Sequence, residues 1–156
     1  MYVCGMTPKD PPHIGHARLF VHVDVMRRYL EYRGYRIQHV QNFTDIDDKI
    51  IERAREQGRE PLELSRANSE DYFRVMDRLD VAHAHVFPRV SEHIEPIIDE
   101  IQTLIDKGFA YETGNGVYFE VTKWPEYGKL SGRTAEDVMA GARIEVDEEK
   151  RDPRDF

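Results

Sequence analysis

The stretch that most constrains the fold is residues 4–18, CGMTPKDPPHIGHAR. Proline lacks a backbone N–H and fixes φ, so its three prolines exclude a helix across residues 8–12 and predict a stiff loop. The apolar run MYVC precedes this loop and predicts a strand that ends at Gly5. Beyond the loop, from Ile14, apolar residues recur at helical spacing. The chain therefore begins with a strand, a rigid turn and a long helix, which Gly34 closes.

Residues 35–43, YRIQHVQNF, predict a second strand. A strand, a helix of about twenty residues and another strand predict a right-handed βαβ crossover with two parallel strands. Open α/β folds bind ligands at the carboxyl edge of such strands, so the loop after the first strand is expected to lie at a ligand site.

The middle of the chain predicts two further helices. Residues 44–58 form the first, with Thr44 or Asp45 as its N-cap and Gly58 at its end. Pro61 is well placed as the first residue of the second, which runs to about Leu79.

The last third of the chain predicts an α+β segment. Isoleucines at helical spacing from Ser91 onward indicate a helix closed by Gly108, and β-rich runs around residues 114–116 indicate a hairpin. A short helix near residues 135–139 and a charged tail at residues 145–156 are expected after it. The fold class is therefore α/β, with a Rossmann-type half at residues 1–85 and an α+β segment at residues 86–156.

Charge and cysteine content exclude several classes of protein. The 22 basic and 30 acidic residues give a net charge of -8, so a surface that attracts nucleic acid over its whole extent is excluded. One cysteine cannot form an internal disulfide, and no apolar run approaches the roughly 20 residues that cross a bilayer. We expect a cytoplasmic protein without membrane contact.

His13 and His16 are the first candidates for chemistry. The start of a helix offers unpaired N–H groups and a positive dipole end, which together favour an anion such as phosphate. Two histidines three residues apart lie on one helix face and can add imidazole donors, while Gly15 lets a flat base or ribose approach the backbone. A metal pair, or a capping residue beside a surface histidine, fits the same spacing.

Other candidates have equally plain structural explanations. Cys4 could bind zinc as a thiolate, or it could be a small buried residue that closes a strand. Asp45, Asp47 and Asp48 could bind Mg²⁺, although acidic residues also favour a first helical turn.

Several motifs together resemble a known family. YVCG, HIGHAR, NFTDIDDKI, YGKLSGR and GARIEVDEEKRDP resemble cysteinyl-tRNA synthetases, which are class I aminoacyl-tRNA synthetases, over essentially the whole chain. The resemblance implies half of a class I Rossmann-type nucleotide-binding fold, followed by a segment like the family's connective peptide. Residues 13–16, HIGH, match the class I signature letter for letter.

The resemblance also implies a reaction and a set of site residues. It implies ATP-dependent activation of cysteine to cysteinyl-adenylate, the step that precedes charging of tRNA-Cys, with Mg²⁺ accompanying ATP. His13 and His16 would be catalytic and would bind ATP with Thr7 and Gly15. Gly5 and Thr44 would line the cysteine pocket, and Cys4 would be one of four zinc ligands.

The family's sequences continue into a second catalytic half with three more zinc ligands and a Lys-Met-Ser-Lys-Ser loop. The 156 residues contain neither, so we expect an amino-terminal half or a shortened relative that is incomplete for catalysis and holds tRNA weakly or not at all. Two alternatives stay open. One is a nucleotide-binding or partner-binding module that associates through an exposed sheet edge, and the other is a ligase that transfers cysteine to an amino sugar.

Overall fold

The structure, a computed structural model, describes residues 1–132 and 148–156, so the short helix expected near residues 135–139 lies outside the described residues. The chain divides into two compact units, Met1–Ile94 and Glu95–Phe156. The division falls later than the boundary expected after residue 85. Its physical reason is that Val86 and Arg89 pair with the second strand and thereby belong to the first unit.

The first unit contains two parallel strands and three helices. These elements are β1 (Tyr2–Met6), α1 (Ile14–Tyr32), β2 (Val40–Phe43), α2 (Asp48–Gln57) and α3 (Pro61–Arg78). Strand β1 pairs with β2 in parallel, Tyr2 opposite Val40, which confirms the predicted parallel pair joined by a helix. Parallel bridges from β2 to residues 86–89 lie beyond it, so β2 is central and β1 lies at an edge of the described sheet.

Aromatic side chains fill the core between this sheet and the helices. Phe43 is fully buried, and its ring centroid lies 5.4 Å from that of Tyr72 and 5.6 Å from that of Phe87. Phe20 of α1 contacts Tyr72 edge-on at 5.2 Å, so one ring of α3 joins the helix and the strand. Such edge-to-face pairs add to the free energy of burial and fix how the elements pack.

The start of α2 differs from the prediction. Asp47, rather than Thr44 or Asp45, is the N-cap, and its side chain accepts from the Lys49 N–H at 2.8 Å. Thr44 extends the sheet instead, since its N–H donates to the carbonyl of Met6. Asp45 is buried and accepts from both the N–H and the hydroxyl of Ser91. At the other end Gly58 adopts a left-handed φ of 62°, as a helix-closing glycine should.

The second unit contains most of one helix and a hairpin. A 3-10 turn at Val90–Glu92 occupies the place where a helix was expected to begin, and α4 spans Ile94–Asp106. Strands β3 (Ala110–Glu112) and β4 (Val117–Phe119) pair antiparallel, which confirms the predicted hairpin. No helix among the described residues is both long enough and apolar enough to cross a membrane.

Candidate functional site

His13 and His16 cap the start of α1 reciprocally. Nδ1 of His13 accepts from the N–H of Gly15 at 3.0 Å, and Nδ1 of His16 accepts from the N–H of His13 at 3.1 Å. This is the hydrogen-bond pattern of a capping box, built with imidazoles instead of a hydroxyl and a carboxylate. The spacing of three residues therefore has a structural cause in the capping of the helix.

The same bonds fix which ring nitrogen carries the proton. A nitrogen that accepts a hydrogen bond carries no proton, so in the neutral rings of His13 and His16 the N–H is at Nε2, away from the cap. The two rings stack with centroids 3.9 Å apart. Burial, and then the charge of His13, lower the pKa of His16, which keeps that ring neutral at pH 7. The pair thus offers two N–H donors held side by side.

Gly15 is required by this cap. A Cβ at residue 15 would lie 2.8 Å from Cε1 and 2.9 Å from Nδ1 of the His13 ring. Any side chain at that position would displace the His13 ring from its hydrogen bond to the helix start. The cap therefore requires glycine at residue 15.

A cavity of about 300 Å³ lies beside the histidines, at the carboxyl end of β1. Of the site residues expected from the sequence, Gly5, Thr7, His13 and His16 line it together, whereas Gly15, Thr44 and Cys4 are not among its lining residues. The other lining residues belong to the strand end, the proline-rich loop and α2: Met6, Lys9, Asp10, Pro11 and Lys49.

Gly5 and Thr44 are joined through a residue that the sequence analysis missed. The Gly5 N–H donates to Oδ1 of Asn42 at 2.8 Å, and the amide group of Asn42 donates to the Thr44 hydroxyl at 3.3 Å. A Cβ on Gly5 would lie 1.6 Å from the Asn42 carbonyl oxygen, so only glycine permits this approach of β1 to β2. Side chains on β2 alternate between the two faces of the sheet, with Gln41 and Phe43 buried and Asn42 half-buried on the other face. A polar residue at that alternate position is the sequence signal that could have suggested Asn42.

Lys49 is the second residue that the sequence analysis missed. It lies in the first turn of α2 and lines the cavity together with His13 and His16. Lysine in a helical, strongly charged segment gives no signal of its own, and only the packing of α2 beside the loop brings it to the site.

The described residues do not complete a metal site. Cys4 is exposed, which contradicts a role as a buried strand-closing residue, and no group of three or more potential ligands occurs among the described residues. Only Asp48 lies in the first turn of α2, where its structural explanation places it. Asp47 caps the helix instead, and Asp45 accepts hydrogen bonds from Ser91. Cys4 can therefore provide one zinc ligand, and the described part of the chain does not offer the remaining ones.

The first comparison with a known protein concerns the fold. Methionyl-tRNA synthetase from Mycobacterium tuberculosis, solved with methionyl-adenylate, matches the structure with a TM-score of 0.64 over 70% of this chain and 22% of that one. At 23% sequence identity this likeness shows the fold alone. The predicted α/β fold class is thereby confirmed.

The family follows from sequence. The model of the family described as "tRNA synthetases class I (C) catalytic domain" matches residues 1–156, and the chain belongs to that family. Cysteine–tRNA ligases of Pyrococcus furiosus and Carboxydothermus hydrogenoformans are each 54% identical over all 156 residues. The matches cover 33% and 34% of those proteins, so the chain spans about a third of the length of these relatives.

Proposed function

We propose that the chain provides the ATP-binding face of a cysteine–tRNA ligase, which activates cysteine with ATP to form cysteinyl-adenylate for transfer to tRNA-Cys. The observation that carries this proposal is the reciprocally capped pair of His13 and His16 beside a cavity at the carboxyl end of parallel strands. Membership in the family supports the same reaction. The cytoplasmic location expected from the sequence stays a prediction.

In this proposal His13 and His16 are the catalytic residues. Their outward Nε2–H groups donate to phosphate oxygens of ATP while the cysteine carboxylate attacks the α-phosphorus and pyrophosphate leaves. Donors that are already in place stabilise the charge that builds on the phosphate, which is usually the largest catalytic contribution. Thr7 lines the same cavity and is assigned to the nucleotide. Gly15 leaves the His13 ring its place at the helix start, and the approach of the ribose or base to the backbone at Gly15 stays a proposal.

The amino acid is proposed to bind where the two strands end. Gly5 and Thr44 lie there, linked by Asn42, and Cys4 is the neighbouring residue of β1. We assign Cys4 as one ligand of a zinc site, and we assign no step to the metal because the described residues leave that site incomplete. Mg²⁺ is proposed only as the usual companion of ATP.

A second function is favoured by one observation. Among the described residues β1 has a strand partner on one side only, and Tyr2 and Cys4 are exposed along it. An open strand edge presents unpaired N–H and C=O groups, so a module that binds a nucleotide and self-associates or docks through this edge is the alternative.

Cysteine-dependent exchange of pyrophosphate into ATP, combined with ATP binding, tests the proposal. His13→Asn and His16→Gln keep residues that can cap α1 but remove or move the ring N–H donors, so the helix should survive. Loss of one charge-assisted hydrogen bond predicts a ten- to hundredfold weaker affinity for ATP, about 1.5–3 kcal/mol. His22→Gln, an exposed histidine on the same helix, is the matched control and should change nothing.

The possible outcomes separate the two functions. Exchange by the wild-type chain that falls in both variants supports cysteine activation. ATP binding without exchange, together with association that depends on protein concentration, supports the binding module. Unchanged ATP affinity in the double variant contradicts the assignment of the histidines to the phosphates.

A further inference from the structure

The cavity beside the histidines has a cationic wall that the histidine signature does not explain. Lys49 from α2 and Lys9 from the proline-rich loop line it together with the two histidines, and Asp10 is the one carboxylate among its lining residues. The Asp10 carboxylate already has Arg53 and Lys9 as ion-pair partners. The Lys49 ammonium and the two imidazole donors around about 300 Å³ therefore favour an anionic ligand.

One ion pair holds α2 against the loop. Nε of Arg53 donates to Oδ1 of Asp10 at 2.8 Å, across 43 positions of sequence. Arg53 follows Lys49 by four residues, so both side chains lie on the same face of α2. The Arg53–Asp10 ion pair keeps this face of α2 beside the loop. Lys49, one turn earlier on the same face, is thereby kept at the cavity that it lines.

The charges around Lys49 leave it available for an anion. Asp10 and Glu56 both accept from Arg53, and Lys9 lies 3.9 Å from Asp10, whereas Lys49 forms no ion pair with any other described residue. An exposed ammonium with no carboxylate partner costs little to bring to a phosphate, because no existing pair must be broken.

We propose that Lys49 binds the pyrophosphate end of the nucleotide, in the cavity that it lines together with the two histidines. This inference rests on the proposed function, since it assigns a further residue to the same ATP site. Lys49 holds oxygens of the β- and γ-phosphates by charge, and the same contact stabilises the leaving pyrophosphate as its negative charge grows. Asp10 and Arg53 are positioning residues that keep α2 beside the loop.

Calorimetric titration of the chain with inorganic pyrophosphate, ATP, AMP and adenosine tests the assignment. Lys49→Gln should weaken binding of pyrophosphate and ATP by about ten- to a hundredfold and leave AMP and adenosine unchanged. The difference from wild type should shrink as salt is added, because this side chain is exposed. Lys49→Arg keeps the charge and should retain most of the affinity.

Arg55→Gln is the matched control, since it removes the same charge from the same helix at an exposed position outside the cavity lining. Equal loss in Lys49→Gln and Arg55→Gln would show a general effect of net charge and overturn the assignment. Unchanged pyrophosphate affinity in Lys49→Gln, or an equal penalty for AMP, would overturn it as well.

The same titrations separate this inference from the proposed function. If His13→Asn and His16→Gln weaken ATP binding and Lys49→Gln does not, the inference about Lys49 is wrong and the ATP site stands. If the wild-type chain binds neither ATP nor pyrophosphate, both are wrong for this chain. Circular dichroism of Lys49→Gln should match wild type, because the Asp47 cap bonds to the backbone N–H of residue 49 and not to its side chain.

Discussion

The two units of the chain hold together by different means. Residues 1–94 are built around a buried cluster of large apolar side chains, namely Met6, Phe20, Phe43, Tyr72, Met76 and Val81. In residues 95–132 and 148–156, a buried carboxylate joins distant parts of the chain: Asp155 accepts from the Tyr111 hydroxyl at 2.6 Å and from the Val121 N–H at 3.0 Å. The first unit therefore depends on packing, and the second depends strongly on satisfied polar contacts.

The helices of the two units differ in the same way. Helix α3 buries Leu64, Tyr72 and Met76, whereas no side chain of α4 is buried in the part of the chain that the structure describes. Yet α4 has the more regular apolar spacing of the two in the sequence. A periodic pattern thus predicts that a helix forms, and the burial of that helix depends on which neighbours the fold supplies.

The largest expected effect is on the apolar cluster. Phe43→Ala should destabilise the first unit by about 3–5 kcal/mol, because it removes a fully buried ring that contacts three other aromatic rings. That is a large part of the stability of a small unit. The tryptophan fluorescence transition should move little, since Trp124, the one tryptophan of the chain, lies in the second unit.

Hydrogen exchange and tryptophan fluorescence, followed through the same denaturant titration, measure the two units separately. Leu79→Ala shortens an exposed apolar side chain of the first unit and is the control, with a much smaller expected change. If Phe43→Ala shifted both transitions equally, the contrast between the units would be wrong and the chain would unfold as one body.

The second effect is on the carboxylate of the second unit. Asp155→Asn keeps the size of the side chain but places an NH₂ group against a donor, either the Tyr111 hydroxyl or the Val121 N–H. A buried donor without an acceptor costs about 1–3 kcal/mol, so the Trp124 transition should shift to lower denaturant while exchange in residues 1–94 stays unchanged.

Asp106→Asn, an exposed acid in the same unit, is the control and should have no such effect. The Tyr111 hydroxyl offers a second readout in the same variant. Burial and then its bond to Asp155 raise the pKa of Tyr111, and the variant should bring that pKa closer to the ordinary tyrosine value. A Trp124 transition that stayed at its wild-type midpoint would contradict the central role of Asp155.

This difference also shows how much the sequence could predict. The strand, proline loop, long helix and second strand follow from periodicity and from the conformational limits of proline, and the structure confirms the parallel pair. Residues 145–156 read as a charged tail, and the burial of Asp155 gives no local signal because its partners Tyr111 and Val121 are more than thirty residues away. Local patterns specify elements, while long-range polar contacts become visible only in the fold.

The residues of the candidate site show the same difference between local and long-range contacts. His13, His16 and Gly15 are recognisable because their contacts with one another are local, three residues apart on one helix end. Asn42 and Lys49 escaped notice because each reaches the site through packing of one element against another. The roles of the histidines, Thr7, Gly5, Thr44 and Cys4 stay predictions until variants are measured.

The smallest expected effect concerns a polar group inside the first unit, where packing otherwise dominates. His39 is buried, and neither of its ring nitrogens has a hydrogen-bond partner among the described residues. Burial lowers the pKa of His39, and the nearby positive charges of Arg27, His85 and the N-terminus lower it further, against a smaller opposing effect of Asp24. The folded unit therefore holds this ring neutral.

A lowered pKa in the folded state means that the unfolded chain binds more protons below the ordinary histidine pKa of about 6.5. The first unit should therefore lose stability as pH falls from about 6.5 toward the lower folded pKa, with a slope of at most about 1.4 kcal/mol per pH unit from this group. His39→Leu should flatten that slope in hydrogen exchange of residues 1–94, and His22→Gln, on an exposed face of α1, should not. An unchanged slope in His39→Leu would show that protonation of His39 does not oppose folding. The pH dependence of the stability of the first unit would then come from other groups.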